Sequence, residues 1–330
     1  MRLITLEDFR DLYLKTLQRG FDFILSKFSL KKSARTKSSF NTVDIQASNW
    51  WMIPEVKKRW NKLITGNPNT TYEEFISNGI FANSKPLKFL SIGSGLCTHE
   101  ISLAELNPHW EILCVDFSGN LLEKATKNAK NKNLENIKFR VEDIYTSKLP
   151  NDYFDIVFFH SSLHHFKNLK EFIPNKVVSK LVKNGKLIIN EYVGPDRIQY
   201  PKSQLKAINK CISLIDGDYK TMFKSNLKKN KYYGSGLIRM ILSDPSECVD
   251  SENILPAIYK HFDVVIEKPY GGSVLMSALK DVAHHFIEID DRKFKNLNLM
   301  FNFEDNYLKE NESDFLFGIY QKKKIKKTKK

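Results

Sequence analysis

Between Lys88 and Asn190 the chain alternates between two rhythms. Short apolar runs (Phe89-Leu90-Ile92, Ile112-Leu113-Val115, Ile137-Phe139-Val141, Phe154–Phe159, Leu187–Ile189) are separated by longer stretches with apolar residues at helical spacing. Short runs rich in branched and aromatic side chains read as strands, and the stretches between them read as helices. Strands that alternate with helices build a parallel sheet covered on both faces. That explains runs that are apolar throughout rather than at every second position. A sixth strand is expected at Phe262–Ile266 and a seventh at Phe315–Tyr320. Residues 201–258 read as mostly helical, with Leu205, Ile208, Ile212 and Ile215 on one face, and a further helical pattern ends near Phe286. Upstream, Leu6, Phe9, Tyr13, Leu17 and Phe21 recur at helical spacing and predict a helix, ended or weakened by Gly20. Phe21–Leu30 reads as a packed helix in preference to a membrane-surface one, and Lys31–Thr42 as a loop. Pro54 suits the first turn of a helix that carries Val56 and Trp60 on one face. The tryptophans around it read as core packing in preference to a lid.

The chemistry gathers where these strands end. The first run stops at Gly93-Ser94-Gly95, and the second stops at Asp116. Strand, glycine turn, helix, strand, acid is the plan of a nucleoside-binding βαβ unit. Glycine tolerates the positive φ of a sharp turn and lets backbone approach a ligand, and an acid at the tip of the second strand can accept hydrogen bonds from ribose hydroxyls. A dinucleotide fingerprint would place a third glycine at position 98, where this chain has Thr98. The third strand runs into Glu142-Asp143-Ile144, where a carboxylate can accept from an adenine amino group. Ligands of such sheets bind outside the carboxyl ends of the strands. Gly93, Asp116, Asp143, His160 and Glu191 all lie at such ends and are expected to converge.

These residues resemble the class I S-adenosylmethionine-dependent methyltransferases. The resemblance covers roughly residues 85–195 and implies that Asp116 binds ribose and Asp143 contacts adenine. Phe154–Phe166 resembles the family's fourth-strand motif, and Leu181–Leu187 resembles the turn before its fifth strand. It implies S-adenosyl-L-methionine as cofactor, held by Ser91, Gly93, Ser94, Gly95, Asp116, Phe117, Asp143, Ile144 and His160. The family usually carries an acid two residues before the first glycine, near the cofactor's methionine amine; this chain has Ser91 there. The implied fold is an α/β, doubly wound, seven-stranded Rossmann-like sheet of order 3-2-1-4-5-7-6 with strand 7 antiparallel, plus helical N-terminal and inserted cap elements. Glu191–Arg197, Asp244-Pro245-Ser246-Glu247, Pro269-Tyr270-Gly271-Gly272 and Trp51–Val56 resemble stand-alone methyltransferases associated with bacterial surface-polysaccharide synthesis. The expected division is a helical extension at 1–80, a cofactor-binding core at 81–195, a helical insertion or lid at 196–258, the end of the core at 259–321 and a basic disordered tail at 322–330.

Composition narrows the setting. With 330 residues, 42% of them hydrophobic, the chain can bury a large core. Its four cysteines have no paired spacing, which argues against a zinc site or disulfide framework and fits a reducing compartment. No run reaches the ~18 apolar residues of a membrane span, and the N-terminus lacks a secretory pattern, so a cytoplasmic location is expected. Half of the formal net charge of +14 sits in the seven lysines of Gln321–Lys330. Such a block stays solvated and can attract anionic lipid or nucleic acid weakly; a nucleic-acid partner is not the expected one.

The expected reaction is in-line methyl transfer to the oxygen of a small molecule or glycan, in which the protein supplies position and a base. His160, just past the fourth strand, and Glu191, at the end of the fifth, are the candidate bases. No metal is expected, because no carboxylate stands at ligand spacing beside His160, His164 and His165. Two alternatives stay open. A nucleic-acid methyltransferase would carry an Asn/Asp-Pro-Pro-aromatic motif or a nucleophilic Cys after strand four or five, whereas this chain has His160-Ser161-Ser162. A non-catalytic scaffold would fit Ser91 but not Asp116 and Asp143.

Overall fold

The computed structural model describes residues 1–19, 48–82 and 85–324. The chain folds into two compact units that interleave in sequence. One is built from Thr70–Val193, Asp250–Lys268 and the chain from Leu316 onward, and the other from Met1–Asn69, Gly194–Val249 and Pro269–Phe315.

The first of these units carries the sheet. Its strands are β1 (Lys88–Ile92), β2 (Glu111–Asp116), β3 (Ile137–Val141), β4 (Phe154–His160), β5 (Leu181–Tyr192), β6 (Phe262–Gly271) and β7 (Phe315–Lys322), in the order β3-β2-β1-β4-β5-β7-β6. Strands β1 to β5 pair in parallel. Strand β7 runs antiparallel: Gln321 and Lys322 at its end donate to the carbonyls of Asn184 and Leu181 at the start of β5. The order reverses between β1 and β4, which opens the crevice where such sheets take ligands. Side chains alternate across β1. Leu90 and Ile92 join a core with Val115, Val157, Phe159, Leu187 and Ile189. Phe89 points the other way and stacks on Trp110, with ring centroids 5.8 Å apart; Ser91 shares that face.

Three strands differ from the sequence reading. The turn read at Leu181–Leu187 lies inside β5. Phe154 pairs with Leu181 and Ile156 with Lys186, so β5 bulges outward between those points, with Asn184 at φ 67°. Backbone pairing on both sides of the excursion keeps it within the strand. Strand β6 continues through Pro269 to Gly271, and β7 reaches Lys322.

The second unit is helical, with helices at Leu6–Arg19, Pro54–Thr65, Lys202–Leu214, Leu237–Ser243, Leu275–Leu279 and Asp291–Tyr307. Trp50 lies in its core with Val56, Ile208, Ile212 and Met300, and packs edge-on against Trp60 at 4.6 Å. The N-terminal helix docks by the face that its apolar spacing does not mark. Leu6, Phe9 and Tyr13 are 62%, 63% and 51% exposed, whereas Glu7 and Asp11 are 1% and 3% exposed. Ion pairs explain the reversal. Asp11 meets Lys280 at 2.7 Å and Arg239 at 3.1 Å, and Asp8 meets Arg239 at 2.7 Å. Burial would raise the Asp11 carboxyl, but these cations hold it well below the usual range. The helix read at Phe21–Leu30 and the loop at Lys31–Thr42 lie outside the described residues, as do the last six residues of the basic tail.

Candidate active site

The glycine turn uses its two glycines differently. Gly93 (φ 71°) donates its N–H to the Val115 carbonyl at 2.8 Å, and a Cβ there would stand 2.9 Å from Cβ of Ser162. Its role is close packing against the loop after β4. Gly95 (φ 55°) has only Leu121 Cδ1, at 4.0 Å, near the position of a Cβ. Open space therefore borders the backbone at Gly95, as a cradle for a ligand requires. The chain then enters the helix Thr98–Leu106 through Cys97, itself left-handed at φ 54°.

Asp116 closes the turn from β2. It is 7% exposed and accepts from the Gly95 N–H at 2.9 Å (Oδ2) and from the Ser118 N–H at 2.7 Å (Oδ1). Burial pushes its carboxyl upward, against the pull of these backbone donors. The Phe117 N–H also bonds to it; an ionised carboxyl offers about four lone-pair sites, so one remains for a ribose hydroxyl. Phe117 beside it is half-buried. Asp143 is exposed, and its Oδ1 accepts the Tyr145 N–H at 2.9 Å, while Ile144 is buried. The residues present fit an adenosyl cofactor: a cradle at Gly95, a ribose acid at Asp116 and an exposed polar edge at Asp143.

Beyond β4 the backbone is strained. Ser161 has φ 45° and is tied by its N–H to the Asn190 carbonyl at 2.8 Å. What holds this loop is Glu191. Its fully buried carboxyl accepts the N–H groups of Ser162 and Leu163, the latter at 2.6 Å, and meets His164 Nδ1 at 2.7 Å. The Ser162 hydroxyl donates to the Ile92 carbonyl at 2.9 Å, which locks the loop onto the glycine turn.

His160 stands among residues that the sequence reading did not single out. Tyr72 OH lies 3.0 Å from His160 Nδ1, and the two rings stack at 5.6 Å with 12° between planes. On the His99 side the imidazole centroids are 3.6 Å apart. His99 Nδ1 in turn meets Glu73 Oε1 at 2.6 Å. Burial, with the neighbouring His99 and His164, pushes His160 well below the usual histidine range. Burial would raise Glu73, but the hydrogen bond and charge of His99 hold it below the carboxylate range. Glu73 and Tyr72 are fixed by a capping box, in which Thr71 Oγ1 accepts the Glu74 N–H at 3.2 Å and Glu74 accepts the Thr71 N–H at 2.7 Å. The T-x-x-E pattern and the pair His99-Glu100 directly after the glycine turn were the available signals. Neither says that the two segments meet.

Comparison with known proteins fits this geometry. Residues 83–234 match a family model described as a methyltransferase domain. The uncharacterized methyltransferase YcgJ of Bacillus subtilis is 26% identical over 86 residues, 26% of this chain and 34% of that protein. The match thus spans about a third of that relative's length. Among solved structures, a Haemonchus contortus phosphoethanolamine N-methyltransferase aligns over 81% of this chain and 57% of its own at 15% identity, TM-score 0.47. A Streptomyces coelicolor geranyl diphosphate C-methyltransferase aligns over 76% and 80% at 9% identity, TM-score 0.47. The matched methyltransferase domain spans the glycine turn, Asp116, Asp143 and the loop after β4.

Proposed function

We propose that this chain is a class I S-adenosylmethionine-dependent methyltransferase that transfers a methyl group to a hydroxyl of a small-molecule or glycan acceptor, of the kind used in bacterial surface polysaccharides. The single observation that carries the reading is the Glu73–His99–His160–Tyr72 cluster beside the glycine turn. Bound S-adenosylmethionine supplies the electrophilic methyl; a hydroxyl acceptor must lose its proton as the new bond forms. Of the two bases expected from the sequence, Glu191 has its carboxyl engaged by three donors and serves to position the Ser161–His165 loop. His160 is held neutral by burial, and Tyr72 meets its Nδ1. Glu73 at Nδ1 of His99 fixes the tautomer that leaves Nε2 unprotonated, and it stabilises the imidazolium that forms on proton uptake. His99 is therefore the base in this reading, while His160 and Tyr72 set the plane of its ring.

Ser91, Gly93, Ser94, Gly95, Asp116, Phe117, Asp143 and Ile144 form the cofactor side. The residues of this site favour neither a base-flipping pocket nor a scaffold role. Among the described residues no helix is long and apolar enough to cross a membrane. A cytoplasmic enzyme with weak anionic-membrane contact through its terminal lysines completes the proposal.

The test is turnover by mass spectrometry with oligosaccharide and small hydroxylated acceptors, alongside calorimetric titration of S-adenosylhomocysteine. His99→Ala should lower turnover ~10²–10⁴-fold with little change in affinity for the product cofactor, and His160→Ala should lower it less. Equal turnover by His99→Ala and the wild type would overturn the assignment of the base.

A further inference from the structure

We propose that Glu100 supplies the negative charge that receives the α-ammonium group of the cofactor's methionine moiety, in place of the acid missing at strand position 91. The inference rests on the S-adenosylmethionine reading and assigns a residue of this chain to one end of that ligand. Ser91, two residues before Gly93, is fully buried, and its hydroxyl donates to Glu100 Oε1 at 2.6 Å. Glu100 sits in the first turn of the helix Thr98–Leu106 and is 2% exposed. The carboxyl is thus delivered to the end of β1 from the helix, with the short serine leaving room for it and orienting it.

Among the described residues no lysine or arginine acts on the buried Glu100 carboxyl. A buried carboxylate is costly unless it is paired and hydrogen-bonded. Here the side-chain donor is one neutral hydroxyl; burial raises the carboxyl against the pull of that hydroxyl, of the neighbouring His99 and of its own backbone N–H. His99, on the same helix, is already paired with Glu73 at 2.6 Å. A start-of-helix position favours negative charge, but that alone does not require the side chain to turn inward onto Ser91. An ammonium placed beyond the Gly95 cradle would meet both needs.

The experiment compares two ligands that share the adenosyl group. S-Adenosylhomocysteine carries the ammonium, whereas 5′-methylthioadenosine lacks the whole amino-acid end. By calorimetry, Glu100→Gln should weaken S-adenosylhomocysteine about 10- to 100-fold, the range for losing a charged hydrogen bond, and leave methylthioadenosine within about twofold. Moving the acid back to the strand, in the Ser91→Asp/Glu100→Gln double variant, should recover most of the lost affinity. Thermal unfolding confirms that each variant is folded, and the single variant decides the matter if the double one is not. Equal weakening of both ligands would make Glu100 a structural residue, and no change in either would remove it from the site; both results overturn the proposal. A wild-type protein that binds neither ligand would instead overturn the cofactor reading itself.

Discussion

Replacing Glu191 separates a positioning carboxyl from a catalytic one. In Glu191→Leu the side chain keeps its approximate volume but presents no acceptor to Ser162 N–H, Leu163 N–H or His164 Nδ1. A buried donor left unsatisfied costs about 1–3 kcal/mol, so three cost roughly 6 kcal/mol at the middle of the range. Burying the leucine returns about 2 kcal/mol, which leaves a net loss near 4 kcal/mol. At about 2 °C per kcal/mol for a long chain, the midpoint should fall by about 8 °C. Glu191→Gln is milder. Its amide oxygen can still accept the two backbone N–H groups, and the amide nitrogen can donate to His164 once the ring changes tautomer, so about 1 kcal/mol is lost. Urea unfolding followed by circular dichroism measures both, with turnover recorded on the same preparations. A leucine variant within about 1 kcal/mol of wild type would refute the reasoning from buried donors. A glutamine variant of unchanged stability whose turnover drops ~10²-fold or more would return Glu191 to the role of base.

The remaining predictions concern the turn and the buried imidazole. Gly93→Ala combines a left-handed φ, which costs about 1–2 kcal/mol for a residue with Cβ, with a 2.9 Å approach to Ser162. It should destabilise the protein more than Gly95→Ala, which meets only Leu121 at 4.0 Å; thermal melts that rank the two in the opposite order would refute the distinct roles assigned to these glycines. For His160 the folded value lies well below the unfolded one near 6.5. Its contribution to stability is therefore complete above pH 6.5 and is lost as pH falls below it, because only the unfolded chain takes up the proton. Wild type should lose up to about 1.4 kcal/mol per pH unit below 6.5 beyond what His160→Phe loses. Parallel stability–pH curves for the two proteins between pH 6.5 and 5 would count against a buried neutral imidazole.

The sheet of the protein could be read from the chain because its signals are local. Strand-length apolar runs, the Gly93-Ser94-Gly95 turn and an acid closing β2 each follow from a few adjacent residues, and the family resemblance they carry implies the sheet order. The ends of β1 and β3 were legible to the residue. The bulge in β5 was not, because Lys183-Asn184-Gly185 has turn chemistry whether the strand ends there or merely swells; pairing with β4 decided it. The N-terminal helix shows the same limit more sharply. Its apolar spacing is clear, yet Asp8 and Asp11 turn inward because Arg239 and Lys280, more than two hundred residues away in the chain, meet them. The cluster proposed to hold the base depends wholly on such meetings. Tyr72 and Glu73 precede the first strand, and His160 is the last residue of the fourth rather than just past it, so nothing in their sequence spacing states that they enclose His99. Glu191 looked like a base because it ends a strand in the right crevice, and only the folded loop shows that backbone donors engage its carboxyl. Periodicity and turn chemistry act over a few residues and are written in the sequence, whereas the partner of a buried charge or ring is set by the packing of distant segments.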